Sequence, residues 1–287
     1  MFGFRLPKPG ILIVPMSDDG NPKIYLLPNL MTAGNLFCGF AAILKILEGA
    51  LVQATDADRA AYYFHFAIWC ILASCIFDAL DGRVARLGGH ESPFGREFDS
   101  IADIVSFGVA PALMVYRIVL QEFPRTGWVI ASVYLVCGAL RLARFNCLAS
   151  ADSATANKEF KGFPIPAAAG VIASITLCLL WFDENGREIG NGKWVLPPLM
   201  VFLSWMMFSG FKYPSFKAIN LRTKRSLPKF MAILLVALIT VLFYQWMPAV
   251  IFISYLLYGF LRPFLSRKMK EEIEDELDDE EDTLESP

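Results

Sequence analysis

Charge is what this sequence has least of. Asp, Glu, Lys and Arg make up 19% of its 287 residues, against about a quarter in an ordinary soluble domain. Hydrophobic residues reach 55% and mean hydropathy is +0.47, more apolar surface than an interior of this size can hide. A plain water-soluble enzyme is excluded, and the bilayer is the solvent that fits. The six cysteines, Cys38, Cys70, Cys75, Cys137, Cys147 and Cys178, have no recurrent C-x-x-C spacing. Neither a disulfide framework nor a zinc site is expected from them, and they read as small core residues. No repeat of solenoid period is found, and no nucleic-acid partner is expected. The first stretch, MFGFRLPKPGILIVPMSDDG, is broken by prolines and lacks a clean signal-peptide core with its cleavage site.

What is present is a series of apolar runs. A spanning helix takes about 20 mostly apolar residues, and eight segments are read as spans: Leu30–Gly49, Tyr62–Leu80, Phe98–Leu120, Trp128–Cys147, Pro166–Trp181, Val195–Phe211, Phe230–Trp246 and Met247–Phe264. The last two meet at Met247-Pro248; together they are too long for one ordinary span, so a hairpin is expected. With the N-terminus inside, 20 Lys and Arg fall on inner segments and 5 on outer ones, Lys45 lying within the first span. The positive-inside bias therefore predicts both termini on the cytoplasmic side of the cell (inner) membrane. The expected fold is an all-α polytopic transmembrane bundle. Its divisions are an N-terminal segment (1–27), a six-helix core (28–212), a basic loop with the C-terminal hairpin (213–266), and an acidic tail (267–287). The tail after Lys270, EEIEDELDDEEDTLESP, is nearly all acid and reads as solvated and solubilising.

One charged cluster interrupts the apolar pattern. FDALDGRVARLGGHESPFGREFDSIADIVSFG sets Asp78, Asp81, Asp99 and Asp103 at the ends of the second and third spans. Carboxylates at membrane depth are costly and usually mark a site. Asp78 and Asp81 are i, i+3 and Asp99 and Asp103 are i, i+4, so each pair shares a helix face. A short inner loop makes the two helices antiparallel neighbours, and the four carboxylates can then converge. Such a site, all oxygen and without His or Cys, would repel itself unless a hard divalent cation neutralised it. Mg²⁺ or Mn²⁺ suits it better than zinc, and a pair of ions suits phosphate chemistry. Gly82 and Gly95 leave room for a phosphate or base against backbone, and Arg83 and Arg86 offer cations to phosphate oxygens. A transporter or cation channel would instead spread acids through the depth of the bundle. A lipid-binding scaffold has no need of four metal-grade carboxylates.

Asp78-x-x-Asp81-Gly82-x-x-Ala85-Arg86, then eight residues, then Gly95-x-x-x-Asp99-x-x-x-Asp103 resembles the complete signature of the CDP-alcohol phosphatidyltransferases. Pro28-Asn29-x-x-Thr32-x-x-Asn35-Leu36, LRLARFN at 140–146 and FKGFPIPAA at 160–168 extend the resemblance towards the branch that uses serine as acceptor. The likeness covers roughly residues 25–210. It implies transfer of a phosphatidyl group from CDP-diacylglycerol to an alcohol hydroxyl, with release of CMP. It also implies that Asp78, Asp81 and Asp99 bind the metal pair, and that Asp103 can touch a metal and acts as general base. Thr32, Asn35, Asp78, Gly82, Ala85, Arg86 and Gly95 would line the CDP-diacylglycerol site, and a homodimer would be the working form.

The acceptor is read from the fourth span. Arg141 and Arg144, i, i+3 near its inner end, include one that could fork onto the carboxylate of L-serine, with Asn146 orienting the ammonium or hydroxyl. The same arginines would suit glycerol 3-phosphate or inositol phosphate, or only the positive-inside bias; the resemblance favours serine. His65 reads as a packed residue, His90 as a possible substrate contact, and Trp128, Trp181 and Trp246 as interfacial anchors among membrane lipids. Pro164 and Pro166 are expected to set the start of the fifth span.

Overall fold

The computed structural model describes residues 26–87, 93–123, 125–150, 160–185, 192–209, 212–213, 231, 235–236 and 238–261, less the side chains of 26, 85–87, 148–150, 160, 161, 212, 213 and 260. The N-terminal segment, His90, most of the basic stretch 212–229, much of the expected span Phe230–Trp246 and the acidic tail lie outside the described residues.

The described chain is helical. The helices are α1 (Leu26–Val52), α2 (Ala57–Leu87), α3 (Pro93–Asp103), a π-helical turn (Ile104–Val109), α4 (Ala110–Ile118), α5 (Gly127–Ser150), α6 (Ile165–Glu184), α7 (Leu196–Phe208) and α8 (Met247–Leu261). One two-residue antiparallel pair, β1 (Phe160–Lys161) with β2 (Lys212–Tyr213), is an element the apolar runs did not suggest. Among the described residues, five stretches are long and apolar enough to cross a membrane: Leu27–Val52, Ala57–Val84, Pro93–Ile118, Gly127–Cys147 and Ile165–Glu184. The helices at Gly192–Phe208 and Met247–Gly259 are apolar but shorter. Large apolar side chains face outward, among them Leu51 (82% exposed) and Phe37 (73%), which suits a surface solvated by lipid rather than water. The chain turns between residues 243 and 246, where the N–H groups of Trp246 and Met247 donate to the Phe243 carbonyl.

Local chemistry explains where the helices begin. Asp56 caps α2, its Oδ1 accepting the Arg59 N–H at 2.9 Å. Pro28, Pro93, Pro166 and Pro197 lie in first turns, where a missing N–H costs nothing. Pro164, extended at ψ 137°, leads the chain into α6 as expected. Pro111 sits inside the third span, just after the π-helical turn, and cannot donate to Phe107 four residues back. The buried Tyr134 hydroxyl donates to that Phe107 carbonyl at 3.0 Å instead, and in lipid such a group has no water to turn to.

The most extensive interhelical contact joins α1 to α2, and α1 also packs along α3, the π-helical turn and α4. The core is built from Ile46, Ile68, Ile71, Phe107, Met114, Ile172 and Leu177, all buried. All six cysteines are free thiols, five of them half-buried, and only Cys147 departs from expectation in being exposed. Cys70, Cys75 and Cys137 pack against the core as expected, and two cysteines also make helix contacts. Cys75 Sγ meets the Pro166 carbonyl at 3.5 Å, and Cys178 Sγ meets the Gln245 carbonyl at 2.9 Å. At the end of the bundle away from the aspartates, Arg117 donates to the Ala50 carbonyl, Lys193 pairs with Glu122, and His65 pairs with Glu184 at 2.9 Å. Lys45 pairs with Glu48 at 2.7 Å and lies over the Tyr63 ring, so its charge within a span is compensated.

At Gly39 the first helix touches the third span backbone to backbone. A Cβ there would lie 2.1 Å from Ser106 Oγ and 2.6 Å from Ser106 Cα. Gly39→Ala is therefore expected to destabilise the protein by about 1–3 kcal/mol through overpacking and to lower its thermal midpoint in detergent. An unchanged midpoint would mean that α1 does not press on the π-helical turn as described.

Candidate active site

Two helix ends build the site. Asp78 is the twenty-second residue of α2, about 32 Å along the axis at 1.5 Å per residue. The hydrocarbon core is about 30 Å thick, so the apolar length of α2 is used up as the first carboxylate is reached. Asp81 follows one turn later, and α3 returns with Asp99 and Asp103. Asp78, Asp99 and Asp103 each bring one carboxylate oxygen within 4.8 Å of the other two. Asp81 stands apart from this trio. It is 5% exposed and accepts a hydrogen bond from the Thr32 hydroxyl at 3.1 Å.

The first helix braces both halves. Thr32 and Asn35, i, i+3 on α1, are buried. Asn35 Nδ2 donates to Asp103 Oδ1 at 3.0 Å, as Thr32 does to Asp81. The side chains expected along a nucleotide pocket thus orient carboxylates. The backbone joins in, because the Asn35 carbonyl accepts from Ser106 Oγ at 2.9 Å and Ser74 Oγ at 3.2 Å. Ser74, Ser106 and Gly39 were missed in the sequence. Their signal was small or polar residues on the inward faces of apolar runs. The π-helical turn begins immediately after Asp103, and such turns recur at functional sites.

At an effective dielectric of 20, two unit charges 4.8 Å apart repel by about 3.5 kcal/mol, and three carboxylates make three such pairs. The donor set is entirely oxygen, which fits a hard divalent cation better than zinc or copper. The neighbouring positions divide unequally. Gly82 and Gly95 are half-buried beside the acids. Ala85 and Arg86 continue α2, but their side chains lie outside the described residues. Arg141 is turned inward, with Nε shielded and without a hydrogen-bond partner among the described residues, and within electrostatic reach of Asp103 and Asp78. Arg144 is exposed. Asn146 donates to Ser100 Oγ at 2.9 Å, tying α5 to α3 one residue after Asp99.

Manganese added to the purified protein at 100 times the dissociation constant is expected to stabilise it by about 2.7 kcal/mol and so raise its thermal midpoint. Asp78→Asn and Asp99→Asn should each abolish that shift while unfolding no earlier than wild type without metal. A full metal-induced shift in both variants would remove the trio as a cation site.

Comparison with known proteins agrees with this geometry. Residues 25–208 match the family described as CDP-alcohol phosphatidyltransferase. The CDP-diacylglycerol–serine O-phosphatidyltransferase of Helicobacter pylori is 36% identical over 244 residues, 84% of this chain and 92% of that protein. The protein of the same name from Bacillus subtilis is 34% identical over 191 residues, 67% of this chain and 91% of that protein. The archaetidylserine synthase of Methanothermobacter thermautotrophicus is 32% identical over 203 residues, 69% and 74% of the two chains. With its aspartates in place and the family matched across all the helices that carry them, this chain belongs to the CDP-alcohol phosphatidyltransferases.

Proposed function

We propose that this protein is a phosphatidylserine synthase, transferring the phosphatidyl group of CDP-diacylglycerol to the hydroxyl of L-serine with release of CMP. The observation that carries the reading is the Asp78, Asp99 and Asp103 trio with the inward Arg141 beside it. The names of the relatives from Helicobacter pylori and Bacillus subtilis support serine as the acceptor. The name archaetidylserine synthase, for a different serine-bearing lipid, supports the same acceptor.

In this reading Asp78, Asp81, Asp99 and Asp103 hold a divalent metal, Mg²⁺ or Mn²⁺ and two ions per site. Bound there, the metal neutralises the diphosphate and the leaving CMP. Asn35 occupies Oδ1 of Asp103, leaving Oδ2 to take the proton of the serine hydroxyl. That oxygen attacks the phosphorus bearing diacylglycerol, the bond from this phosphorus to the oxygen of CMP breaks, and CMP leaves with the electron pair. No covalent enzyme intermediate is needed. Gly82, Ala85, Arg86 and Gly95 are assigned to the nucleotide and its phosphates, as the family signature implies. Arg141 meets the serine carboxylate. Asn146, already on Ser100, holds α3 in place, and the exposed Arg144 serves the lipid surface or the entering acceptor.

The wider arrangement is part of the proposal: about eight spans, both termini and the active site on the cytoplasmic face of the inner membrane, and a homodimer as the resemblance implies. Arg83, Arg96, Arg141 and Arg144 lie towards the aspartate end of their helices and Arg59 and Arg117 towards the other, which supports that orientation by the positive-inside rule. The core, basic loop with hairpin, and acidic tail are proposed to divide as 28–212, 213–266 and 267–287.

CMP release is the test. Purified protein with CDP-diacylglycerol and Mg²⁺ or Mn²⁺ should turn over with serine and not with glycerol 3-phosphate, inositol phosphate or choline. Turnover with one of the others would keep the chemistry and discard serine. Asp103→Ala should lower the rate by about 10²–10⁴-fold while the protein stays folded, as read from its thermal midpoint without metal. An active Asp103→Ala would assign the base elsewhere.

A further inference from the structure

Helix α8 lies beyond residues 25–208, the span that matches the family, and yet it packs against α6. Phe252 covers Gly170 so closely that a Cβ there would meet its ring at 2.3 Å. Ala249, Leu256 and the Phe252 face seat α8 along α6. Three residues beyond Phe252, on the same face, the Tyr255 ring packs on Phe163 with centroids 5.8 Å apart.

Phe163 is a rigid platform. It is fully buried, and its N–H donates to the Met206 carbonyl at 3.0 Å. Gly162 before it takes φ 87°, where its absent Cβ would strike the Met207 carbonyl oxygen at 2.4 Å. The chain can pass this close to α7 only with glycine at that position. On the other side, Gly138 of α5 abuts Ile165 and lies near Met207. Arg141 is one turn further along that helix. The platform and α8 thus lie beside the part of α5 that carries Arg141, and Tyr255 and Arg141 lie within electrostatic reach of each other.

We infer that Tyr255 is a positioning residue for the acceptor: held on Phe163 by a helix outside the family core, it fixes the Arg141 guanidinium towards the carboxylate of the incoming alcohol. The inference rests on the reading of serine as acceptor. A flexible arginine loses rotamer freedom each time it binds a carboxylate, and a fixed one does not. A phenol beside a guanidinium supplies an oxygen that accepts from it without cancelling its charge. The aromatic body fills the space between α6 and α8. On this account the final helix helps set acceptor affinity and is more than an added membrane anchor.

The test uses the full-length protein in detergent, with Tyr255→Phe and Tyr255→Leu beside wild type. KM is measured for serine at saturating CDP-diacylglycerol and for CDP-diacylglycerol at saturating serine. The expected result is a rise of roughly tenfold in the serine KM of Tyr255→Leu, the loss of about one charged contact, with the KM for CDP-diacylglycerol within twofold of wild type. Tyr255→Phe keeps the ring on Phe163, and its smaller rise gives the share of the hydroxyl. Unchanged serine KM in both variants overturns the inference. So does an equal loss towards both substrates, which a merely structural role would give. Wild type that is folded but inactive with serine overturns the serine reading and this inference together. Active wild type with indifferent variants overturns this inference alone.

Discussion

Much of this bundle is arranged around one backbone oxygen. The Asn35 carbonyl draws in hydroxyls from Ser74 on α2 and Ser106 on the π-helical turn, while the side chain of the same residue holds Asp103. Three elements are thereby fixed at a depth where few other polar partners exist, and hydrogen bonds between membrane helices contribute about 0.6–2 kcal/mol each. The constraint is geometric as much as energetic. Ser106 comes close enough to reach that carbonyl only because Gly39, one turn further along α1, has no side chain.

With the three helices registered, the carboxylates have no freedom to separate. Each is mounted on a helix end whose neighbour is itself pinned, so repulsion between Asp78, Asp99 and Asp103 cannot be relieved by letting the chain relax. This is pre-organisation: the structure bears the cost of assembling negative charge before a cation or diphosphate arrives. Asp81, hydrogen-bonded to Thr32, is held out of the closest group, which separates it from the trio while leaving it on the same helix face as Asp78. The opposite end of the bundle follows the reverse rule. There several charged side chains are paired, as in Lys45 with Glu48 and Lys193 with Glu122, and among the described residues no second group of acids close enough to hold a metal forms.

The third span illustrates how a helix can turn a local defect into position. Asp103 ends an α-helical stretch, six residues of π-helix follow, and Pro111 opens the next stretch. The wider turn shifts the residues after Asp103 relative to a continuous α-helix and brings Ser106 and Phe107 inward, where Asn35 and Tyr134 meet their polar atoms. A uniform helix with the same sequence would place Ser106 at a different angle to α1.

The sequence alone determined the membrane class, the helical character, the family and the grouping of the aspartates, because each depends on local spacing: apolar runs about 20 residues long, and acids three or four apart on one helix face. It also determined that two oxygen-rich helix ends would meet, since a short loop leaves antiparallel neighbours no alternative. Tertiary structure decided which oxygens are nearest, that Asp81 rests on Thr32 and Asp103 on Asn35, that Arg141 turns inward while Arg144 turns out, and that Tyr255 arrives from a distant helix. None of these could be read locally. Each depends on the rotation and depth of helices far apart in the chain, set by close contacts at Gly39, Gly138, Gly162 and Gly170, and interhelical contact of that kind has no period in the sequence.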